Sequence, residues 1–434
     1  MRETIDAVNQ EPSVRYVMPE PTPILPYAVP DPAAPHPAKP YVVGILIGLS
    51  AAFLFCGYEL VRSPTNTLFK AAYGKAALPY VMAATPVGVV VLLYIYGRLL
   101  TWLGPRWTLV ATTIGSCAIL AGSYGAIAAG WNFAAAILYV VREAYIVLLM
   151  EQYWSFLNST LGEANARRLN GPICGIGSGG SIVGGILVGT LATKVGSPAL
   201  LLLGAAITLP TALLTWLAYQ YGGQPQPRPD EPHSDTLGSR LLFRQPILAI
   251  LLGVILLTQA ISGLTDLSFQ GILQDAIPDQ DKQTAFSGWF YMWLNIAAAF
   301  MQFGATPLLL WLVPTRRIHI AIPLIHVCTC AYLWGSPTLL SAGIAYMVFK
   351  VLDYSIFRAA KELLYIPLSF DARYRAKELI DVFGYRFGKG GMSLVVAALQ
   401  KPGQAVAAPI LALIAAGAAV AWAALAIPLT RRKA

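Results

Sequence analysis

Long apolar runs separated by short polar breaks dominate the chain from Tyr41 onward. A helix of about 20 residues crosses the ~30 Å hydrocarbon core of a bilayer, whereas membrane β-barrels show alternating segments of ~10 residues. The runs therefore predict an all-α, polytopic membrane protein with about twelve spans. The predicted spans are Tyr41–Tyr58, Leu78–Leu100, Trp107–Ala128, Trp131–Leu157, Gly171–Leu191, Ala199–Gln220, Pro246–Leu273, Ala285–Trp311, Ile318–Trp334, Pro337–Tyr365, Leu379–Leu399 and Val406–Leu429.

A polar, proline-rich break divides these runs into two sets of six. Such a segment does not lie in lipid, so it predicts a linker between two helical bundles. The first 40 residues are also proline-rich and lack the apolar run of a signal peptide, which predicts a disordered tail. The predicted organisation is tail 1–40, N-terminal six-helix bundle 41–220, cytoplasmic linker 221–245, and C-terminal six-helix bundle with a short basic tail 246–434.

Composition and charge support membrane insertion, since the 434 residues are 56% hydrophobic and only 12% charged. The net charge of +9 does not indicate a nucleic-acid partner, because Lys and Arg concentrate in alternate loops. That asymmetry predicts both termini in the cytoplasm and a multi-pass location in the cell (inner) membrane, with the lipid bilayer as partner. The opposite loops hold mainly Lys70, Lys75, Lys194, Lys282 and Lys401.

A shift of about 210 residues superposes the fourth and tenth predicted spans and keeps polar groups opposite polar groups. Glu143 then falls on Asp353, and Glu151 falls on Lys361. Parallel repeats of this kind form two bundles that meet at a central cavity, which opens to alternate sides of the membrane. The repeat therefore predicts a transporter architecture.

Charged residues inside the predicted spans are the candidates for function. A charge facing lipid at mid-depth costs roughly 2.5–3.5 kcal/mol, so these side chains are expected to face protein or water. Lys350 and Asp353 lie three residues apart and are predicted to pair. Lys361 is predicted to be an unpaired cation in the cavity, with Glu362 on another face. The candidate coupling or gating residues are Glu59, Arg142, Glu143, Lys350, Asp353, Glu362 and Arg386.

Motifs for other chemistry are weak. Gly175, Gly177 and Gly180 form a GxGxxG pattern within an apolar run, where close helix packing is the better interpretation. The sequence offers no metal-ligand cluster and no nucleophile with a base, so no catalytic residue, metal or cofactor is predicted. The chain is not expected to be an enzyme.

Two segments resemble known transporters. GRLLTWLGPRW, from Gly97 to Trp107, resembles the cytoplasmic loop signature of the major facilitator superfamily. DYSIFRAAKELLYIPLSFDARYRAKELIDVFGYRFGKGG, from Asp353 to Gly391, resembles the nucleotide translocases, or ATP/ADP antiporters, of plastids and intracellular bacteria. EQYWSFLNSTLGEANARRL, from Glu151, is similar to the corresponding first-half segment. The resemblance implies a major-facilitator-like fold that exchanges nucleotides.

The resemblance also implies site residues and shows departures from the family pattern. Thr65 and Asn66 stand where a Lys and an Asp are typical, and Gln270 stands where a Lys is common. Two cations that face phosphate are thus expected to be missing, which favours a cargo with less charge. The candidate substrate-binding residues are Arg62, Glu151, Asp266, Gln270, Lys361, Asp381 and Lys389.

The preferred hypothesis is a secondary transporter, resembling ATP/ADP antiporters, that moves a nucleotide or another organic anion. One alternative is a proton-coupled major-facilitator symporter or exporter of another metabolite, with Glu59, Glu143 or Asp353 as the protonation site. An alternative of a different class is a membrane scaffold or accessory subunit that does not transport. In that case the proline-rich tail would bind a protein partner.

Overall fold

The computed structural model describes residues 40–143, 145–146, 163–222, 246–365, 380–401 and 403–431. Within these parts the backbone is helical almost throughout and contains no strand. The predicted tail up to residue 39 and linker residues 223–245 lie outside the described residues, as do segments 147–162 and 366–379. The all-α prediction is confirmed, and the two-bundle boundaries stay a prediction.

Thirteen α-helical segments are described, and most are long enough to cross a bilayer. They are α1 Pro40–Tyr73, α2 Leu78–Ala128, α3 133–143, α4 Glu163–Val195, α5 Ala199–Gly222, α6 Pro246–Ala276, α7 Gln280–Phe300, α8 Thr306–Leu312, α9 Thr315–Gly335, α10 Leu339–Leu352, α11 Arg358–Tyr365, α12 Tyr385–Leu399 and α13 Ala408–Arg431.

Nine stretches of the described chain are long and apolar enough to span a membrane. One of them contains the 51-residue helix α2, which Gly104 interrupts with φ 72° and ψ 170°. This left-handed conformation suits glycine, and Pro105 follows it. The break separates the predicted spans Leu78–Leu100 and Trp107–Ala128. The multi-pass helical architecture is thereby established, and the count of twelve stays a prediction.

Glycines bring α1 and α4 into backbone contact. A Cβ atom added at Gly180 would lie 2.1 Å from the main-chain oxygen of Ala52, and one at Gly184 would lie 2.7 Å from that of Cys56. A Cβ atom at either position would clash with the facing backbone, so only glycine permits this approach. Close packing of this kind holds membrane helices together, because lipid tails give them little hydrophobic reason to associate. The prediction that this glycine run packs helices is confirmed.

Three helices contain a π-helical turn, in which one extra residue widens the turn. These turns are Met301–Ala305 between α7 and α8, Asp353–Phe357 between α10 and α11, and Ile380–Gly384 before α12. Single π turns often occur at functional sites because they re-aim neighbouring side chains. Two of the three turns carry candidate residues, namely Asp353 and Asp381.

Residues 40–222 and 246–431 pack together mainly through α4 with α7 and through α2 with α12, and polar contacts join them near the ends of α1 and α6. Lys75 forms an ion pair with Asp275, and the Thr67 hydroxyl contacts the Thr284 hydroxyl across 2.5 Å. Nearby, the Ser197 hydroxyl donates to a carboxylate oxygen of Asp281 over 2.6 Å. In the described residues, the polar contacts between the two parts involve residues 59–80 and Ser197 of the first part, and none involves residues 40–58.

Candidate functional site

One face of α1 carries a stripe of polar side chains, spaced at three and four residues so that they point the same way. It consists of Glu59, Arg62, Asn66 and Lys70, each of which is largely buried. An Arg62 Nη1 atom lies 3.4 Å from Glu59 Oε1, and the Arg62 guanidinium stacks 3.6 Å from the Tyr291 ring centroid. The stripe therefore faces α7, which belongs to the second part of the chain.

Helix α3 adds a second arginine to this stripe. Arg142 is 4% exposed, donates over 2.7 Å to Asn66 Oδ1, and also donates over 3.2 Å to the main-chain oxygen of Arg62. It forms an ion pair with its neighbour Glu143. The predicted candidates Glu59, Arg62, Arg142 and Glu143 are thus brought together.

Helix α6 faces the same region with Asp266 and Gln270, one helical turn apart. A carboxylate oxygen of Asp266 accepts a hydrogen bond of 2.8 Å from Lys389 on α12. Gln270 Oε1 accepts one of 2.9 Å from Lys70 on α1. Lys70 thus places a cation beside this amide from the other part of the chain, and the expectation that the family's cation is missing at Gln270 stays a prediction.

The prediction that Lys70 lies in a loop is wrong. Helix α1 continues to Tyr73, and Lys70 is only 2% exposed. The available signal was spacing, since Lys70 follows Asn66 by four residues and Arg62 by eight. Thr65, at the other departure from the family pattern, donates its hydroxyl to the main-chain oxygen of Val61 over 2.6 Å.

We call the group formed by these charged residues the central charge cluster. Asp266 lies within electrostatic range of Lys350 and Arg62 as well as Lys389, and Glu143 lies within range of Lys389. Among the described residues, five basic side chains meet three carboxylates. The cluster is Glu59, Arg62, Lys70, Arg142, Glu143, Asp266, Lys350 and Lys389.

Lys361 lies in a separate ion pair, which corrects the prediction that it is an unpaired cation. Its Nζ atom is 2.6 Å from Asp381 Oδ1 and 3.9 Å from Glu362 Oε1. The π turn at Ile380–Gly384 positions Asp381 opposite α11. Spacing along one helix cannot predict a partner on another element, so the sequence did not predict this pair.

The predicted pair between Lys350 and Asp353 is also wrong. Lys350 donates to the Ser262 hydroxyl on α6 over 3.1 Å. Asp353 is 5% exposed, and its Oδ1 atom has no hydrogen-bond partner among the described residues.

Two further candidates complete the set. Arg386 is half-buried on α12. Glu151 lies outside the described residues, so its assignment stays a prediction. The structure thus groups most candidates into the central charge cluster and the Lys361 pair.

These helices and the buried charges between them define a polytopic membrane protein with a transporter fold. A crystal structure of the nucleoside transporter NupG superposes with a TM-score of 0.69 at 16% identity, covering 90% of this chain and 100% of that chain. Similarity at this identity establishes the fold. The prediction of a major-facilitator-like architecture is therefore confirmed at the level of the fold.

The sequence comparisons refine that class. The family model described as TLC ATP/ADP transporter matches residues 327–432, which include the predicted motif Asp353–Gly391. ADP,ATP carrier protein 1 of Chlamydia muridarum (strain MoPn / Nigg) is 25% identical over 174 residues, covering 36% of this chain and 33% of the relative. The chloroplastic ADP,ATP carrier protein 1 of Arabidopsis thaliana is 24% identical over 340 residues, covering 69% of this chain and 51% of the relative.

The predicted resemblance to nucleotide translocases is confirmed by these matches. The longer alignment extends into the first half, because it covers more of the chain than the residues after the linker provide. The matched parts span between a third and about half of the two relatives. The chain is therefore similar to ATP/ADP carriers over the matched residues.

Proposed function

We propose that this protein is a secondary transporter that exchanges a nucleotide or a closely related organic anion by alternating access. The observation that carries the proposal is the central charge cluster, where five basic side chains meet three carboxylates at the junction of the two parts of the chain. A buried surplus of positive charge is costly in a membrane and suits an anionic cargo. The similarity to ADP,ATP carriers supports a nucleotide as this anion.

The proposed orientation places both termini in the cytoplasm of a cell whose inner membrane holds the protein. The contacts between the two parts near Lys75 and Asp275 would then lie on the outer side. The end of α1 that lacks such polar contacts, residues 40–58, would face the cytoplasm. We therefore propose that the structure represents an inward-facing arrangement of two bundles with boundaries near 41–220 and 246–434.

Counter-exchange in proteoliposomes tests this function. Vesicles loaded with unlabelled ATP, ADP or AMP should take up the labelled nucleotide, and empty vesicles should not. Replacing Arg62 by Gln should reduce uptake, while Arg106→Gln, which removes a cation from the Trp216 ring 4.5 Å away within the first part, should not. If vesicles loaded with each of these nucleotides take up no more than empty ones, the proposed function is wrong.

Proton-coupled transport is a second candidate because of Asp353. Glu59 and Glu143 each lie in an ion pair with an arginine, whereas Asp353 has no cation within 4 Å among the described residues. A buried carboxyl group of this kind can carry a proton. If an imposed proton gradient drives net uptake into empty vesicles, and Asp353→Asn abolishes that uptake but leaves counter-exchange, this candidate is supported.

A further inference from the structure

Lys70 is a buried cation whose acceptors are neutral. Its Nζ atom lies 2.9 Å from Gln270 Oε1 and 3.3 Å from the main-chain oxygen of Gln270, and the side chain is 2% exposed. Among the described residues, no carboxylate lies within 4 Å of it. Asp266, one turn away on α6, already accepts from Lys389. The ammonium therefore has only neutral hydrogen-bond acceptors, and the Asp266 carboxylate acts on it from a longer distance.

The acceptor of Lys70 is connected to the other cations of the cluster. Gln270 Nε2 lies 3.5 Å from the Tyr291 hydroxyl, and the Tyr291 ring stacks on Arg62. Lys70 and Arg62 therefore flank the same two neutral groups. The Gln270 side chain therefore lies between the Lys70 ammonium and the Tyr291 hydroxyl.

We propose that Lys70 is a phosphate-binding cation that Gln270 holds until the substrate arrives, and this proposal rests on the proposed function. The phosphate end of a nucleotide replaces the Gln270 oxygens as the acceptor. A phosphate oxygen adds charge–charge attraction to the ammonium that the neutral Gln270 oxygens lack, so the exchange favours the bound anion. Lys70 thereby compensates for the neutral residues at Thr65 and Gln270.

The same exchange affects the contact between the two parts of the chain. Lys70 lies on α1 and Gln270 on α6, so their hydrogen bond joins the two parts. A phosphate group that takes over the ammonium removes this bond. Binding of the anion would thus weaken the contact between the two parts of the chain near Lys70. Loss of that contact couples cargo binding to the conformational change.

Two substitutions test the role of Lys70 by different routes. Lys70→Met removes the charge, and Gln270→Glu supplies a carboxylate that neutralises the ammonium in place. The second variant gives a buried cation a counterion, so it is expected to fold. Lys75→Met is the matched control, since Lys75 lies on the next turn of chain in an exposed ion pair with Asp275.

The readouts are thermal stabilisation of the purified full chain by inorganic pyrophosphate and ADP, and ADP counter-exchange in proteoliposomes. In both Lys70→Met and Gln270→Glu, the pyrophosphate concentration for half-maximal stabilisation should rise about tenfold or more, because a charge-assisted hydrogen bond is lost. Lys75→Met should behave like the wild type. Lys70→Arg, which keeps the charge, should retain most of the stabilisation.

The outcomes separate this inference from the proposed function. If pyrophosphate does not stabilise the wild type, or stabilises Gln270→Glu as well as it stabilises Lys75→Met, the inference is overturned. If the wild type exchanges ADP while both variants match Lys75→Met, the transporter function stands and the role of Lys70 is wrong. Loss of pyrophosphate stabilisation in the two variants supports the inference even where the nucleotide itself differs from ADP.

Discussion

The charged region has a first wall, formed by α1 and α3, and a second wall, formed by α11 and α12. The two walls differ in the acceptors that hold their cations. On α11 and α12, Lys361 and Lys389 each pair with a carboxylate on a different element, over 2.6 and 2.8 Å. On α1 and α3, the carboxylate partners of Arg62 and Arg142 lie on the same helix as the arginine. Contacts of these arginines with other helices are to neutral groups.

This difference indicates different tasks. An ion pair between helices ties them together, and an arriving anion gains little by competing with a carboxylate for the cation. A neutral acceptor such as Asn66 or Gln270 is a weaker competitor, because hydrogen bonds between charged partners are stronger. The second wall is therefore suited to holding its own helices together, and the first wall to binding a mobile anion.

The largest effect that tests this comparison is expected at Asp381. Replacing Asp381 by Asn leaves Lys361, which is 3% exposed, without its nearest carboxylate. Removing one partner of a buried pair typically costs about 3 kcal/mol, and we expect a loss of this size in the free energy of unfolding. Chemical denaturation in detergent micelles measures it.

The control for this effect is the double variant Lys361→Met with Asp381→Leu. Because it removes both charges, it should recover most of the lost stability. An equally unstable double variant would show that the pair does not act as a structural tie.

The next effect concerns Asn66, the neutral acceptor of Arg142. Asn66→Leu should cost about 1.5 kcal/mol of unfolding free energy, less than Asp381→Asn, because Arg142 keeps its ion pair with Glu143. Asn66→Asp should instead stabilise the empty protein and weaken its stabilisation by ADP. Denaturation with and without ADP measures both. A loss at Asn66→Leu as large as that at Asp381→Asn would remove the distinction between the walls.

A smaller effect is expected at Arg62, whose planar guanidinium stacks on Tyr291. Lysine keeps the charge but not the stacking, so Arg62→Lys should weaken ADP binding by about 1 kcal/mol. Titration calorimetry on the purified protein measures this. The matched control is Arg106→Lys, which alters a similar stack on Trp216 within the first part. Equal losses of binding in both variants would argue against a role of Arg62 in the first wall.

The smallest effect is expected at the exposed pair of Lys75 and Asp275. Their side chains are 35% and 63% exposed, so Asp275→Asn should change the unfolding free energy by less than about 1 kcal/mol. This change in unfolding free energy should be smaller still in about 1 M salt, because exposed charges are screened. Denaturation at two salt concentrations checks this, and a large, salt-independent loss would mean that the pair belongs with the buried ties.

Much of the fold could be predicted from the sequence. Apolar runs that match the thickness of a bilayer specify membrane helices locally, because each helix satisfies its own backbone hydrogen bonds. Within the described residues, the predicted spans correspond to helices, and Gly104 with Pro105 ends one of them. The motif from Asp353 to Gly391 also pointed to the family that the comparisons found.

For the candidate site, the sequence predicted which residues belong to it but not which of them contact each other. The cost of placing charges in lipid identified Arg142, Glu143 and Lys350 without any structure, and the family resemblance added Arg62 and Asp266. Their partners were not predictable, since spacing along one helix suggested Lys350 with Asp353. The Ser262 hydroxyl on α6 accepts from Lys350 instead, because α10 packs against α6.

By itself, the sequence determined that this chain forms membrane helices, which charges lie within its long apolar runs, and which family it resembles. Those properties depend on local composition and on the low polarity of the bilayer. Only the tertiary structure decided which cation meets which acceptor, because residues 123 and 200 positions apart, as in Asp266 with Lys389 and Lys70 with Gln270, meet through helix packing. The hydrogen bond from Lys70 to the neutral Gln270 amide is therefore a feature that only the tertiary structure shows.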